Sequence, residues 1–349
     1  MKNYKWIIVL PALIFLAGCN KNKSREKPDV SGIKADIHLM RFDKDLYGFN
    51  QNDFAQQRAT MISKYGSFYN FYLNQFIIGP RTQGDTSDVE QMAIKKFLSD
   101  GYMQRLQDSI DTQFDNAKDV EEDLSQSFKY FKYYFPAIII PKVITVNSGF
   151  SLGAFTYGKD VLGIGLDLYL GANNRDYDSA GIYQYIKHRM RREYISRNSM
   201  EVLYNFYFGN EEDSRGKNLI EAMVDKGKKM YFLSYVLPDA PDSLIVGFTQ
   251  KQTDWCEASE YEIWKFLNDK DMLYKDDFMD QKRYLDEGPT TQGMPPEAPG
   301  SIGNWIGLQV VRKFMKETGN KISMHDLITK YDAKTIFEKA KYRPSKSVF

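Results

Sequence analysis

The chain has 349 residues, with 47 Lys plus Arg against 46 Asp plus Glu, and 42% of it is hydrophobic, including 24 Tyr and 23 Phe. That much apolar material can bury a full core, which excludes global disorder. A formal charge of +1 excludes the strong basic excess of a dedicated nucleic-acid binder, and two cysteines cannot staple a disulfide scaffold.

The N-terminus is the most legible segment. Lys2 and Lys5 precede an apolar stretch over 6–16, shorter than the roughly 20 residues that span a bilayer. Residues 1–18 therefore read as a secretion signal rather than a transmembrane helix. The run Leu16-Ala17-Gly18-Cys19 resembles the lipobox of bacterial lipoproteins, which implies that Cys19 is acylated and becomes the mature N-terminus. Several acyl chains on one residue anchor a protein firmly where a single chain does not. With Cys19 lipidated, Cys256 has no partner for an intramolecular disulfide. Residues 19–30 carry four cations and almost no apolar side chains, as a solvated basic tether would.

Residues 31–349 show no second linker and no repeat, and are expected to form a single domain. Ile94, Leu98, Tyr102, Leu106, Ile110 and Phe114 recur every four residues, the stripe of one long helix that Gly101 weakens locally. A second helix is expected over 119–135, ending before Pro136. Short strands follow at 143–146 and 161–166, with glycine-rich turns between them. Helices are then expected over 181–208, 217–236, 255–268 and 304–318. Asn304 would cap the last of these and Gly319 would end it. Ser323 to Asp326 has capping-box form ahead of a final helical stretch. The sum is an α+β fold, mostly helical with a small central sheet.

Most catalytic signatures fail on their context. Gly149-Phe150-Ser151-Leu152-Gly153 matches the elbow of serine hydrolases, which needs a strand before it and a helix after it. Residues 154–166 read instead as a hairpin arm, so the segment is a glycine-rich turn. Gly216-Lys217 lacks the first glycine and the Ser or Thr of a phosphate loop, and acids at 211–213 would repel phosphate, so no nucleotide is expected. Asp269 and Asp271 begin like a calcium loop, but Tyr274 stands where the turn glycine belongs. Of three histidines, His188 lies in His188-Arg189-Met190-Arg191-Arg192, where a metallopeptidase would carry His-Glu-x-x-His. Arg189 and Arg192 would repel zinc, and by helical phase His188 falls opposite Ile182, Ile186 and Met190, as an exposed histidine. Neither a metal nor another cofactor is expected.

The lipobox, the run Leu162-Gly163-Ile164-Gly165-Leu166-Asp167-Leu168-Tyr169-Leu170-Gly171, and the segment Pro299 to Arg312 resemble those of the gliding motility lipoprotein GldB family. Trp255-Cys256, Ile263-Trp264 and Tyr342-Arg343-Pro344 fit the same pattern, and the similarity runs from about residue 30 to 345. It implies an envelope protein required for gliding, lipid-anchored through Cys19, facing the periplasm, with other envelope proteins of the gliding and secretion apparatus as partners. The family is also distantly similar to zinc-dependent peptidases. On that comparison His188 matches the first histidine, Arg189 the catalytic acid, Arg192 the second histidine and Lys226 the downstream ligand. This implies a degenerate zincin-like scaffold that has lost its metal. The expected role is non-catalytic binding or positioning of envelope components. Two alternatives are a divergent hydrolase working near His188 and a periplasmic chaperone for secreted adhesins. Within the last block, Gly300, Gly303 and Gly307 would allow close backbone approach around Trp305, whose face with Leu308, Val311 and Met315 reads as core.

Overall fold

β-Branched residues dominate one central strand, Lys142–Val146, whereas in the other Val161, Leu162 and Ile164 are interspersed with glycines. Both strands are buried on their two faces apart from Lys142. In the computed structural model, which describes residues 27–79, 87–209 and 216–346, the strands are β1 (Leu39–Arg41), β2 (Lys142–Val146), β3 (Ala154–Tyr157) and β4 (Val161–Gly165). The signal segment and Cys19 lie outside the described residues. The sheet order is β1-β2-β4-β3. β2 runs parallel to both β1 and β4, and β3 is antiparallel to β4 at the edge. The hairpin expected with Gly149–Gly153 as its turn, joining the strand at 143–146 to an arm over 154–166, is not formed. β2 and β4 run parallel, and the hairpin present is β3–β4, closed by the turn at 158–160.

Side-chain alternation along the strands separates two cores. Val143, Leu162 and Ile164 face the larger one, and Ile144, Val146 and Val161 face a smaller, aromatic-rich one. The smaller core is built by α1 (Phe42–Tyr47), α2 (Phe54–Tyr65), α3 (Ser67–Tyr72) and α4 (Ser87–Ser99). α5 (Gly101–Gln113), α6 (Lys118–Tyr134), the short α7 (Asp176–Ser179), α8 (Tyr194–Phe208) and α9 (Leu219–Val236) follow. After them come α10 (Asp242–Val246), α11 (Gln250–Ala258), α12 (Glu260–Asp269) and α13 (Phe278–Leu285). The last three are α14 (Ile302–Glu317), α15 (Met324–Thr329) and α16 (Ala333–Ala340). The result is a mostly helical α+β fold around a small mixed sheet. Buried Asp43 ties the sheet to its surroundings, accepting hydrogen bonds from Thr145 Oγ1 at 2.5 Å, Gln107 Nε2 at 3.3 Å and Arg41 Nη2 at 2.5 Å.

Several expected helices are shorter than their patterns. The stripe through Ile94 and Phe114 is divided between α4 and α5, because Asp100 caps α5 by accepting from the amides of Tyr102 and Met103. Of the helix expected over 181–208, only Tyr194–Phe208 is α-helical, and Gln184–Arg189 forms a 3-10 turn. The 255–268 helix is two helices that meet at Ser259. Asn304 lies inside the first turn of α14, whose N-cap is Ser301 in the left-handed region at φ 54°. Ser323 does cap α15 through the amide of Asp326. Gly216-Lys217 leads into a capping box formed by Asn218 and Glu221.

Candidate functional site

A polar cavity of about 680 Å³, within the size range of small-molecule sites, opens beside the edge strand β3. Gly153 and Ala154 form part of one wall. α8 contributes Arg197, Asn198 and Glu201, and α9 contributes Lys226, Lys229 and Met230. Asp286 and Glu287 follow α13, Arg189 and Met190 come from the 3-10 turn region, and Ser301 and Asn304 come from the start of α14.

The wall is held by ions that engage one another. Arg197 and Glu201 are four residues apart on α8 and so share a face. Arg197 Nη1 is paired with Glu201, and Lys229 Nζ on α9 lies 2.7 Å from the other carboxylate oxygen. Arg197 and Lys229 are both buried. Burial pushes the Glu201 carboxyl up, but Arg197 and Lys229 outweigh it and hold it at about 2. Arg197 also donates to the Ile245 carbonyl at 3.2 Å and to Asn198 Oδ1 at 3.2 Å. Asn198 passes the network on to the Tyr169 hydroxyl at 3.1 Å. Across the cavity, Arg189 Nη1 meets Glu287 Oε1 at 2.5 Å. The buried Oδ1 of Asn304, on the cavity-lining start of α14, has no hydrogen-bond partner.

Of the four positions singled out in the sequence, Arg189 and Lys226 line this cavity, whereas His188 and Arg192 do not. His188 sits on the 3-10 turn and is half-buried rather than exposed. Its Nδ1 lies 2.9 Å from the Tyr185 carbonyl and its Nε2 lies 3.0 Å from the Gly247 carbonyl. Burial lowers its pKa below the ordinary 6.5, against the pull of those carbonyls. Arg192 points towards the α5–α6 junction, pairing with Asp119 at 3.0 Å and lying over the Phe114 ring at 4.8 Å. Arg197, Glu201 and Lys229 escaped the sequence reading. Their only signals were the i, i+4 spacing of Arg197 and Glu201 and a Lys228-Lys229 pair inside an apolar helix. Among the described residues, no group of three or more His, Cys, Asp or Glu is placed to hold a metal ion.

The model of the family described as gliding motility protein GldB matches residues 23–344. The chain belongs to this family. No curated protein and no solved structure gives a significant match. This is a family of gliding motility lipoproteins, and the structure explains both sequence blocks that carried the resemblance. In the first, Asp167 is buried behind β4 and accepts from Ser148 N and Oγ at 2.8 Å each and from Phe150 N at 2.5 Å. It thereby fixes the Gly149-Phe150 turn, where both residues have positive φ. In the second, Trp305, Leu308, Val311 and Met315 are buried, as read from the pattern. The likeness to zinc-dependent peptidases is not supported, because His188 and Arg192 do not lie together on one α-helix. Among the described residues no helix is long and apolar enough to cross a membrane.

Proposed function

We propose that this chain is an envelope lipoprotein that is held to the membrane through Cys19 and serves the gliding apparatus by binding, not by catalysis. The observation that carries the reading is the family match over 23–344. The ion network of the cavity supports it in chemical terms. Arg197 and Lys229 both pair with Glu201, and a carboxyl held at about 2 is a poor proton acceptor at neutral pH, where a general base works best near its own pKa. The cavity is then a receptor for a component of the same envelope, and the tether at 19–30 sets its distance from the bilayer. Partners of this kind are other envelope proteins of the gliding machinery.

The test separates binding from a hydrolase centred on His188. A deletion strain complemented with His188→Gln is expected to spread on agar like one carrying the parent chain, and the purified lipoprotein is expected to leave a mixed peptide pool uncut. Peptide cleavage by the parent chain, lost together with spreading in His188→Gln at equal abundance, would overturn the reading and restore the hydrolase.

A further inference from the structure

A second concavity, on the other side of β3 and remote from the ion network, has a different chemistry. It is an open groove of about 490 Å³ lined by Ser67, Asn70, Phe71, Asn74, Gln75 and Tyr157. Five of these residues stand at i, i+3, i+4, i+7 and i+8 along α3 and the turn that continues it, and so form one stripe. The opposite face, with Phe68, Tyr69, Tyr72 and Leu73, is buried in the smaller core. Tyr157 closes the groove from the edge strand β3, its ring stacked on Phe71 at 4.5 Å and its hydroxyl 3.4 Å from the Ser67 carbonyl.

Three observations make this more than an exposed helix face. First, among the described residues no charged side chain lines the groove, although 27% of the chain is Asp, Glu, Lys or Arg. Second, Asn74 Oδ1 is buried without a hydrogen-bond partner, which is rare enough in a folded chain to need a cause. Third, Leu73–Ile77 is a π-helical turn, closed by the Ile78 amide on the Leu73 carbonyl at 2.8 Å. Such turns are rare and concentrate at functional sites.

We infer that this groove binds an uncharged carbohydrate. A carboxamide both donates and accepts, which matches the hydroxyl groups of a sugar, and three of them converge here. Phe71 and Tyr157 supply apolar ring surface for the C–H faces of a pyranose, with a polar tip on Tyr157. The uncharged lining among the described residues disfavours acidic glycans and nucleotides, which call for Arg or Lys. A peptide adding to the edge of β3 would be read by backbone groups, whereas the groups gathered here are side-chain amides. The site is independent of the cavity at α8 and α9 and of any role proposed for it.

The experiment titrates the full-length lipoprotein, in a polyoxyethylene detergent free of sugar, with hexasaccharides of glucose, mannose, galactose and N-acetylglucosamine, and with a galacturonate hexamer. Calorimetry is expected to show binding of at least one neutral hexasaccharide, weakened about tenfold by Asn74→Leu, which leaves a buried contact unmade. The double variant Asn70→Ala with Gln75→Ala changes only exposed side chains, so it keeps the fold and is expected to weaken the same ligand. No binding by any neutral sugar, tighter binding of the galacturonate, or affinity unchanged in both variants would overturn the assignment. Displacement of the sugar by an unstructured peptide at comparable concentration would overturn it in favour of a peptide groove.

Discussion

Glu201 illustrates how a side chain can look catalytic and yet be committed elsewhere. A carboxylate beside Arg197 and Lys229 is held at about 2 against an ordinary 4.5. Its folded-state pKa is depressed, so the stability it contributes is full above about pH 4.5 and is lost as pH falls towards 2. That difference corresponds to about 3 kcal/mol. Urea unfolding midpoints measured from pH 6 down to pH 2.5 should fall steeply in the parent chain. The slope should flatten in Glu201→Gln, which is less stable at neutral pH because two buried cations lose their shared carboxylate. An unchanged slope would mean that the triad is not formed. Cys256 offers a second residue-level check. It is fully buried, and burial pushes its thiol up, so the thiolate that reacts with disulfide reagents is scarce. Ellman's reagent at pH 8 should report no thiol in the native chain and one on denaturation.

At the scale of elements, the tightest feature is the crossing of α9 and α14. A Cβ on Gly307 would overlap the Met223 carbonyl, and one on Gly227 would overlap the Gly307 backbone. The helices can approach this closely only because both positions lack a side chain. Gly307→Ala should therefore destabilise by at least about 1–3 kcal/mol, seen as a lower urea midpoint with an unchanged slope. A neutral result would contradict the crossing. Gly307 was readable as a packing glycine from its place beside Trp305, but its partner Gly227 was not, because a pairing across 80 positions leaves no periodicity. The strands β2 and β4 and the ends of α6 were legible for local reasons, apolar β-type runs and Pro136. Three-residue β1 is too short to show a pattern, and the glycine-rich turn at 149–153 did not reveal that β2 and β4 run parallel. Helix breaks were less so. Asp100 and Ser259 interrupt patterns whose apolar spacing continues through them, since two helices packed on one core keep the same buried side. The 3-10 turn at Gln184–Arg189 was missed because its apolar residues sit at helical intervals. That error placed His188 on a helix face and hid the cavity, whose walls come from segments far apart in the chain.

For the whole molecule, the proposed lipid on Cys19, the basic tether and the two concavities flanking β3 fit one arrangement, that of a body held near a membrane and presenting binding surfaces. Cys19→Ser should move the chain from the membrane to the soluble envelope fraction, because the anchor depends on acyl chains and no described helix can replace it. The central claim is that the cavity between β3, α8 and α9 serves gliding by binding. The most direct measurement is the spreading of a deletion strain complemented with Ala154→Trp or with Lys226→Glu, at matched membrane-bound abundance. The first fills the cavity from its β3 wall, and the second reverses a charge on its α9 wall. Loss of spreading in both, with folding and membrane attachment intact, is the predicted result. Full spreading with the cavity filled and its charge reversed would contradict the claim.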